Sequence, residues 1–453
     1  MPSASALSRE ALAQPPDIPP GQLLLAYSGG RDSSVLLHAI HSLCARGSLP
    51  GFQLCAVHVH HGIHPQADRW VAHCARQAMA LDVPLEVERL NLTRHGGDLG
   101  EEALAREARY AALLRHLAPN GRLLTAHHAE DQLETMLLAL ARGAGVQGLA
   151  AMPLVQRRGE GWHLRPLLHW TGEQLDAYAR RHQIEYVDDP SNADPRHARS
   201  YLRREVLPLL HTRWPGIAVS AVRSAAHCGV AAALGDVLAN ADAGASLAAL
   251  ERLPLPRLTA LSPDRQRNLL RSWCRARGHR PPPERRLAQG LSDLLGCAAD
   301  ALPSVQWDDV ALRRYRDKLY LVSPPSVTLD PPACPSSDPL ALPRGLGRLA
   351  ITLVEPGVGT LRIDRDRWYA APIRVGFRQG GERVRLSGRE GTRRLKHLLQ
   401  EWGVVPWMRG RIPLLYQGDA IVVIGDLAVT ADYAAKPDAA ALEVRWEGHP
   451  SVR

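Results

Sequence analysis

Between residues 21 and 150 the chain alternates between two hydrophobic periods, and that alternation limits the fold more than any other feature. Apolar runs at Leu23–Tyr27, Gln53–Val59, Pro84–Leu90 and Arg122–Ala126 are short and nearly continuous, as in strands buried on both faces. Helical patterns fill the gaps, over about 32–46, 67–81, 100–118 and 129–141. Such a β-α repeat predicts an α/β domain with a doubly wound parallel sheet. Ligands of such sheets bind beyond the carboxyl ends of the strands. The segments after the first, second and fourth runs, "SGGRDSS", "HVHHGIHPQAD" and "HHAEDQLET", are therefore expected on one rim.

The first of these breaks a strand into Ser28, Gly29 and Gly30 just before a helix. Glycines admit left-handed backbone, so successive amides can converge on an anion, and the helix adds its positive end. Ser28, Ser33 and Ser34 can donate hydroxyls to phosphate oxygens. A kinase-type phosphate loop would end in Gly-Lys-Ser/Thr; Arg31 and Asp32 stand there instead. An aspartate beside a triphosphate makes sense if it helps to hold Mg²⁺. The chain has three lysines, Lys318, Lys396 and Lys436, and none before residue 318. An N-terminal catalytic domain therefore has no lysine for a Schiff base or a lysyl-adenylate, and an amine nucleophile would have to come from a substrate.

Asp131 and Glu134 lie one turn apart on one helix face. Near a triphosphate such a pair can bind a divalent ion, or receive an ammonium group and take its proton. His58, His60, His61 and His64 cluster after the second run, with His127 and His128 after the fourth. Two readings stay open for them: a metal-dependent hydrolase, or a metal-free loop in which His58 flanks a purine. "RGAGVQG" contains a literal GxGxxG but follows a helix, which fails the context of a dinucleotide fingerprint. Gly143 reads better as a helix-ending turn near a nucleotide.

The remainder divides by composition into a catalytic domain over 1–214, an alanine-rich, mostly helical middle domain over 215–323, a Pro- and Ser-rich linker over 324–343, and a small α+β domain over 344–453. The net charge of +9 suits an anionic partner, nucleic acid first. Seven cysteines, none in a CxxC, signal neither a zinc ribbon nor a dithiol site and suit a reducing compartment. No uninterrupted apolar run of about 18 residues occurs, so a soluble cytoplasmic protein without membrane attachment is expected.

Together these pieces resemble the PP-loop ATP pyrophosphatases (the adenine nucleotide alpha hydrolase-like fold), whose SGGxDS motif matches Ser28 to Ser33. More narrowly the chain is similar to the bacterial tRNA(Ile)-lysidine synthetases. "HVHHGI", "EALAREARYAAL", "TAHHAEDQLETMLLALARGAGVQGLAAM", "RPLL" and "DDPSNADPRHARSYLRREVLPLL" follow that family's order, and "GERVRLSGREGTRRLKHLLQEWGVVPWMRGRIPLLYQGDAIVVI" resembles its C-terminal domain. Glu130 stands where the family often has an aspartate, and Ser200 where it usually has an asparagine.

The resemblance implies the chemistry. ATP adenylates the oxygen at carbon 2 of the wobble cytidine of CAU-anticodon isoleucine tRNA, with release of pyrophosphate; free L-lysine then displaces AMP and forms lysidine. It further implies that Ser28, Gly29, Gly30, Arg31 and Ser33 hold ATP, with Asp32 and Asp131 on Mg²⁺. Asp131 and Glu134 would orient metal or the lysine ammonium, and Arg109 and Arg203 would offset phosphate charge. Basic residues of the C-terminal domain (Arg389, Arg393, Arg394 and Lys396, with Trp402 and Trp407 nearby) would contact tRNA. A homodimer is left open. The nearest rival is a PP-loop tRNA thiolase, for which the cysteine spacing offers no support.

Overall fold

Leu23, Leu25 and Tyr27 enter one hydrophobic core while Leu24, between them, enters a second. Ala56 and Val57 divide in the same way, as do Leu124 and Leu123. This period of two, apolar on both sides, is what a sheet covered on both faces demands. The computed structural model describes residues 20–60, 62, 66–90, 100–188, 198–297, 301–322, 339–343, 345–355, 361–387, 389, 391–450 and 452. They fall into two compact units, Met1–Gly235 and Asp236–Arg453.

The first unit is built on six strands: β1 (Gln22–Ala26), β2 (Gln53–His60), β3 (Leu85–Arg89), β4 (Arg122–Leu124), β5 (Val155–Arg158) and β6 (Gly161–Leu164). Their spatial order is β3-β2-β1-β4-β6-β5. All neighbours pair parallel except the edge strand β5, which returns antiparallel beside β6. Helices α1 (Arg31–Ala45), α2 (Ala67–Ala80), α3 (Gly100–Arg115), α4 (Ala129–Ala141) and α5 (Gly172–Arg181) follow in chain order. Residues of α1 and α5 pack on one face of the sheet, and Tyr110 and Leu113 of α3 on the other. The chain first winds outward from β1 to β3, then crosses to β4 on the other side of β1. The crevice between β1 and β4 is thus the switch point where such sheets bind ligands.

Helix α6 (Ile217–Ala243) carries the division between the units, between Gly235 and Asp236. It is long and apolar enough to cross a membrane, with a mean hydropathy of 1.5 over 18 residues. Alanine supplies much of that hydropathy. Ala218, Ala221 and Val222 join the core of one unit, and Ala239 and Ala243 that of the other.

In the second unit, helices Pro263–Ala276 and Glu284–Gly296 share a core with a four-stranded antiparallel sheet that includes Val310–Tyr315 and Lys318–Val322. The segment expected to be mostly helical therefore also holds a small sheet. The C-terminal region adds two four-stranded antiparallel sheets around a core that includes Trp368, Leu395, Leu398 and Trp446. Most of the Pro-rich stretch lies outside the described residues, but its end, Leu340–Ala341, pairs with Arg348–Val354 as a short strand.

Candidate active site

Two helices begin on the same rim. Helix α1 starts after β1 with no side chain capping its first turn. Gly29, with φ +82, turns the backbone, and its carbonyl accepts from the amide of Val187 at 2.9 Å. A Cβ there would meet Cys74 Sγ at 2.7 Å. Gly30 is different: its φ of −74 suits any residue, and a Cβ would meet nothing closer than 3.5 Å. The space beside it leaves the backbone open to close approach by an anion. Ser28 and Ser33 join their hydroxyls at 3.0 Å at the mouth of this turn. The open amides, the helix dipole and these hydroxyls together suit a phosphate.

Helix α4 starts across the crevice and is crowded with charge. The Asp131 carboxylate accepts from the His128 amide at 2.9 Å. The His128 ring lies among three acids: Nδ1 is 2.7 Å from Glu130, and Nε2 is 3.4 Å from Asp32 and 3.6 Å from Asp131. Burial opposes charging this imidazole, but Asp32 and Glu130, then Asp131, raise its pKa to about 10, so it is an imidazolium at neutral pH. In return, burial pushes Asp32 and Asp131 upward, yet His128 holds both below the ordinary carboxylate value, helped by Arg31 at Asp32 and by Arg203 at Asp131.

Arg203 comes from a π-helical stretch, Leu202–Val206, an irregularity often found at functional sites. Its Nη2 donates to Asp131 Oδ1 at 2.7 Å and to Glu134 Oε2 at 3.2 Å. Glu134 is 1% exposed, and burial raises its pKa beyond what Arg203 can offset. A buried acid with an elevated pKa suits proton transfer.

The structure thus gathers Ser28, Gly29, Gly30, Asp32, Ser33, Asp131, Glu134 and Arg203 on one rim. Arg31 is tied sideways, Nε to Asp32 at 2.7 Å and Nη1 to Asp176 of α5 at 2.8 Å, so it braces the loop. His58 is buried beneath the loop, its Nδ1 2.9 Å from the Tyr27 carbonyl, and does not line the opening. Arg109 stands beside Tyr110, its guanidinium 5.7 Å from the ring, without an ion pair among the described residues. Gly143 does not join the others. It closes the far end of α4 with φ +69 and an amide bonded to Leu140, about 20 Å along that helix from His128. His61, His64 and residues 189–197 lie outside the described residues.

Glu130 was visible in the sequence only as a departure, yet its carboxylate bridges His128 and the Gly172 amide (2.9 Å) at the start of α5. Asp176 gave no signal at all. Arg199, four residues before Arg203, reaches Thr135 at 3.1 Å and Glu134 at 3.7 Å; that spacing was the available clue.

Among the described residues no group of three or more His, Cys, Asp or Glu forms a ready metal cage. The carboxylates of Asp32 and Asp131, converging on one imidazole nitrogen, instead fit Mg²⁺, which keeps waters and phosphate oxygens in its shell.

In the C-terminal region Arg389 and Arg393 are engaged by Glu401, at 2.7 and 3.3 Å, while Arg394 and Lys396 are exposed. Trp402 and Trp407, expected near bound RNA, pack against the C-terminal core; Trp407 also lies edge-on to Tyr320.

Comparison with known proteins agrees along the chain. Residues 5–210 match the PP-loop domain, 253–320 the TilS substrate binding domain and 373–446 the TilS substrate C-terminal domain. A tRNA(Ile)-lysidine synthase of Alkalilimnicola ehrlichii is 42% identical over 445 residues, 95% of this chain and 96% of the relative. That of Coxiella burnetii is 42% identical over 416 residues, 91% of this chain and 90% of its own. Among solved structures, the U34-tRNA thiolase NcsA from Methanococcus maripaludis with its 4Fe-4S cluster reaches a TM-score of 0.41 at 15% identity, covering 49% of this chain and 76% of that one. That likeness is too distant to bear on function.

Proposed function

The chain belongs to the tRNA(Ile)-lysidine synthases, ATP-using enzymes that modify isoleucine tRNA, and on that footing we propose how its rim divides the reaction. The turn at Ser28–Ser33 binds the β and γ phosphates of ATP, and the α phosphate is passed to the oxygen at carbon 2 of the wobble cytidine of CAU-anticodon tRNA. Pyrophosphate leaves. Free L-lysine then attacks carbon 2 through its ε-nitrogen, AMP departs with the oxygen, and lysidine remains. Asp32 and Asp131 would hold Mg²⁺, which when bound draws charge from the phosphates.

Asp131 and Glu134 receive the lysine side chain. In the free enzyme Arg203 occupies both carboxylates; as lysine arrives, its ammonium replaces this partner and Arg203 turns to phosphate. Glu134, with its raised pKa, accepts the proton that makes the amine nucleophilic. The C-terminal domain, 344–453, holds the tRNA body, with Arg394 and Lys396 free to meet phosphates. Truncation after about residue 340 should weaken tRNA binding and flatten its salt dependence, and unchanged affinity would refute the assignment.

The observation that best supports this reading is the pairing of an uncapped, glycine-built helix start with an acid-rich one across the β1/β4 crevice: one side suits phosphate, the other suits cations. The test is to incubate the enzyme with isoleucine tRNA, ATP and labelled lysine. Pyrophosphate and labelled tRNA should appear together. ATP consumption without lysine in the tRNA would refute the assignment of the nucleophile.

A further inference from the structure

Beside the acid-rich helix start lies a group of arginines that the proposed chemistry leaves unused. Tyr110, on α3, is buried, and three guanidiniums surround its ring: Arg158 at 5.0 Å, Arg106 at 5.3 Å and Arg109 at 5.7 Å from the centroid. Arg106 and Arg109 are one helical turn apart on α3, and Arg158 ends β5. A fourth, Arg165, follows β6 and is 5% exposed. It donates from Nη1 to the Pro153 carbonyl at 2.7 Å and approaches His163 Nδ1 with Nη2 at 3.2 Å, while its buried Nε has no hydrogen-bond partner among the described residues. The Tyr110 hydroxyl is also buried without a hydrogen bond of normal geometry.

No ion pair joins any of these four arginines to a carboxylate among the described residues. Nor do the neighbouring imidazoles accept charge. Thr125 Oγ1 lies 2.8 Å from both His127 Nδ1 and His163 Nε2, and burial, reinforced by the arginines, lowers His127 to about 3 and His163 to about 2. Arg165 is buried and Arg109 and Arg158 are half-buried, and like charges held together in that setting repel; aromatic contacts offset only part of that cost. Such an arrangement is stabilised by an anion, and planar guanidinium forks match phosphate oxygens.

Position says which anion is within reach. Thr125 follows β4 and Arg165 follows β6, parallel neighbours whose carboxyl ends meet, with the Thr125 amide bonded to the Leu164 carbonyl at 3.1 Å. Arg165 therefore stands on the same rim as the turn and the acids; Arg158, whose backbone pairs with Gly161 at the amino end of β6, reaches toward it through its side chain over Tyr110, as Arg106 and Arg109 do from α3. We propose that Arg106, Arg158 and Arg165 complete, with Arg109, a phosphodiester subsite that holds the backbone of the substrate nucleic acid beside the nucleotide being modified. The proposal rests on the reading of this rim as the modifying site. It adds a second anchor, inside the catalytic unit, to the binding assigned to the C-terminal domain.

The test uses the full chain carrying Arg106→Ala and Arg158→Ala together, with Arg106→Ala alone, an exposed position, as the variant least able to disturb folding. Binding of an unmodified isoleucine tRNA transcript is measured from 50 to 200 mM salt, and ATP binding by calorimetry. The double variant should bind tRNA roughly tenfold more weakly, and the slope of log affinity against log salt should shrink by about 1 to 2. The single variant should lose about half of that slope, and ATP affinity should hold. An exposed control, Arg76→Ala, should match the wild type. If ATP affinity falls instead and tRNA binding holds, the phosphate is the nucleotide's, and the nucleic-acid assignment is overturned. Unchanged binding of both by the double variant overturns the subsite altogether. Lysine incorporation by the wild-type enzyme is measured separately, so failure here leaves the proposed reaction standing.

Discussion

The starts of α1 and α4 face one crevice and follow neighbouring strands of one sheet, yet they solve the problem of unpaired amides in opposite ways. Helix α4 closes its start within the fold: Asp131 reaches back to the His128 amide, and the Ala129 amide donates to the Trp170 carbonyl at 2.8 Å. Helix α1 leaves its first turn uncapped and places glycine where a Cβ would fit without hindrance. A capped start is finished within the fold. An open one has a place for a ligand, and the contrast separates an anion side from a cation side in a gap only a few ångströms wide.

The largest effect should come from removing the acid that sits on the anion side. Asp32→Ala should lower lysine incorporation into tRNA by about a thousandfold; retention of full activity would break the division. On the cation side, Glu134→Gln should slow lysine transfer by about a hundredfold while tRNA-dependent pyrophosphate release continues. Equal loss of both steps would show that the two sides do not act separately.

The two glycines sharpen the contrast further. Gly29→Ala should cost about 2 kcal/mol of stability, because a left-handed backbone and the Cys74 sulfur both oppose it. Gly30→Ala should leave the melting curve nearly unchanged and weaken ATP binding about tenfold. The last effect is pH-dependent. With its pKa raised from 6.5 to about 10 in the fold, His128 contributes stability that is complete below pH 6.5 and is lost as pH climbs through 10. In metal-free buffer, wild type should lose more stability than His128→Gln between pH 7 and pH 10, as read from denaturant unfolding at the two pH values.

The sheet was legible because each strand is a short apolar run next to a helical period, and the elements fall within a few residues of where that pattern placed them. The turn at Ser28–Ser33 was legible because glycine, serine and a helix start are adjacent in sequence. What sequence could not supply were partners brought together by winding. Asp176 bonds Arg31 from 145 residues away, Arg203 reaches Asp131 across 72, and the arginines around Tyr110 come from α3, β5 and the residue after β6. His58 lies inward because the neighbouring Tyr27 carbonyl engages its ring, a contact that a row of histidines in one dimension does not show. Gly143 ends its helix as its position after a helical pattern suggested, but its distance from the rim along α4 is visible only in the fold.

The sulfur of Cys74 forms the floor under Gly29, and burial pushes its thiol pKa to about 12, so it stays protonated and unreactive. It contributes bulk and a 3.4 Å contact to His58 Nδ1. Over generations residue 74 is therefore held to a small side chain, although it never meets a substrate. A bulkier group there would lift the bend and be felt first as poorer grip on nucleotide.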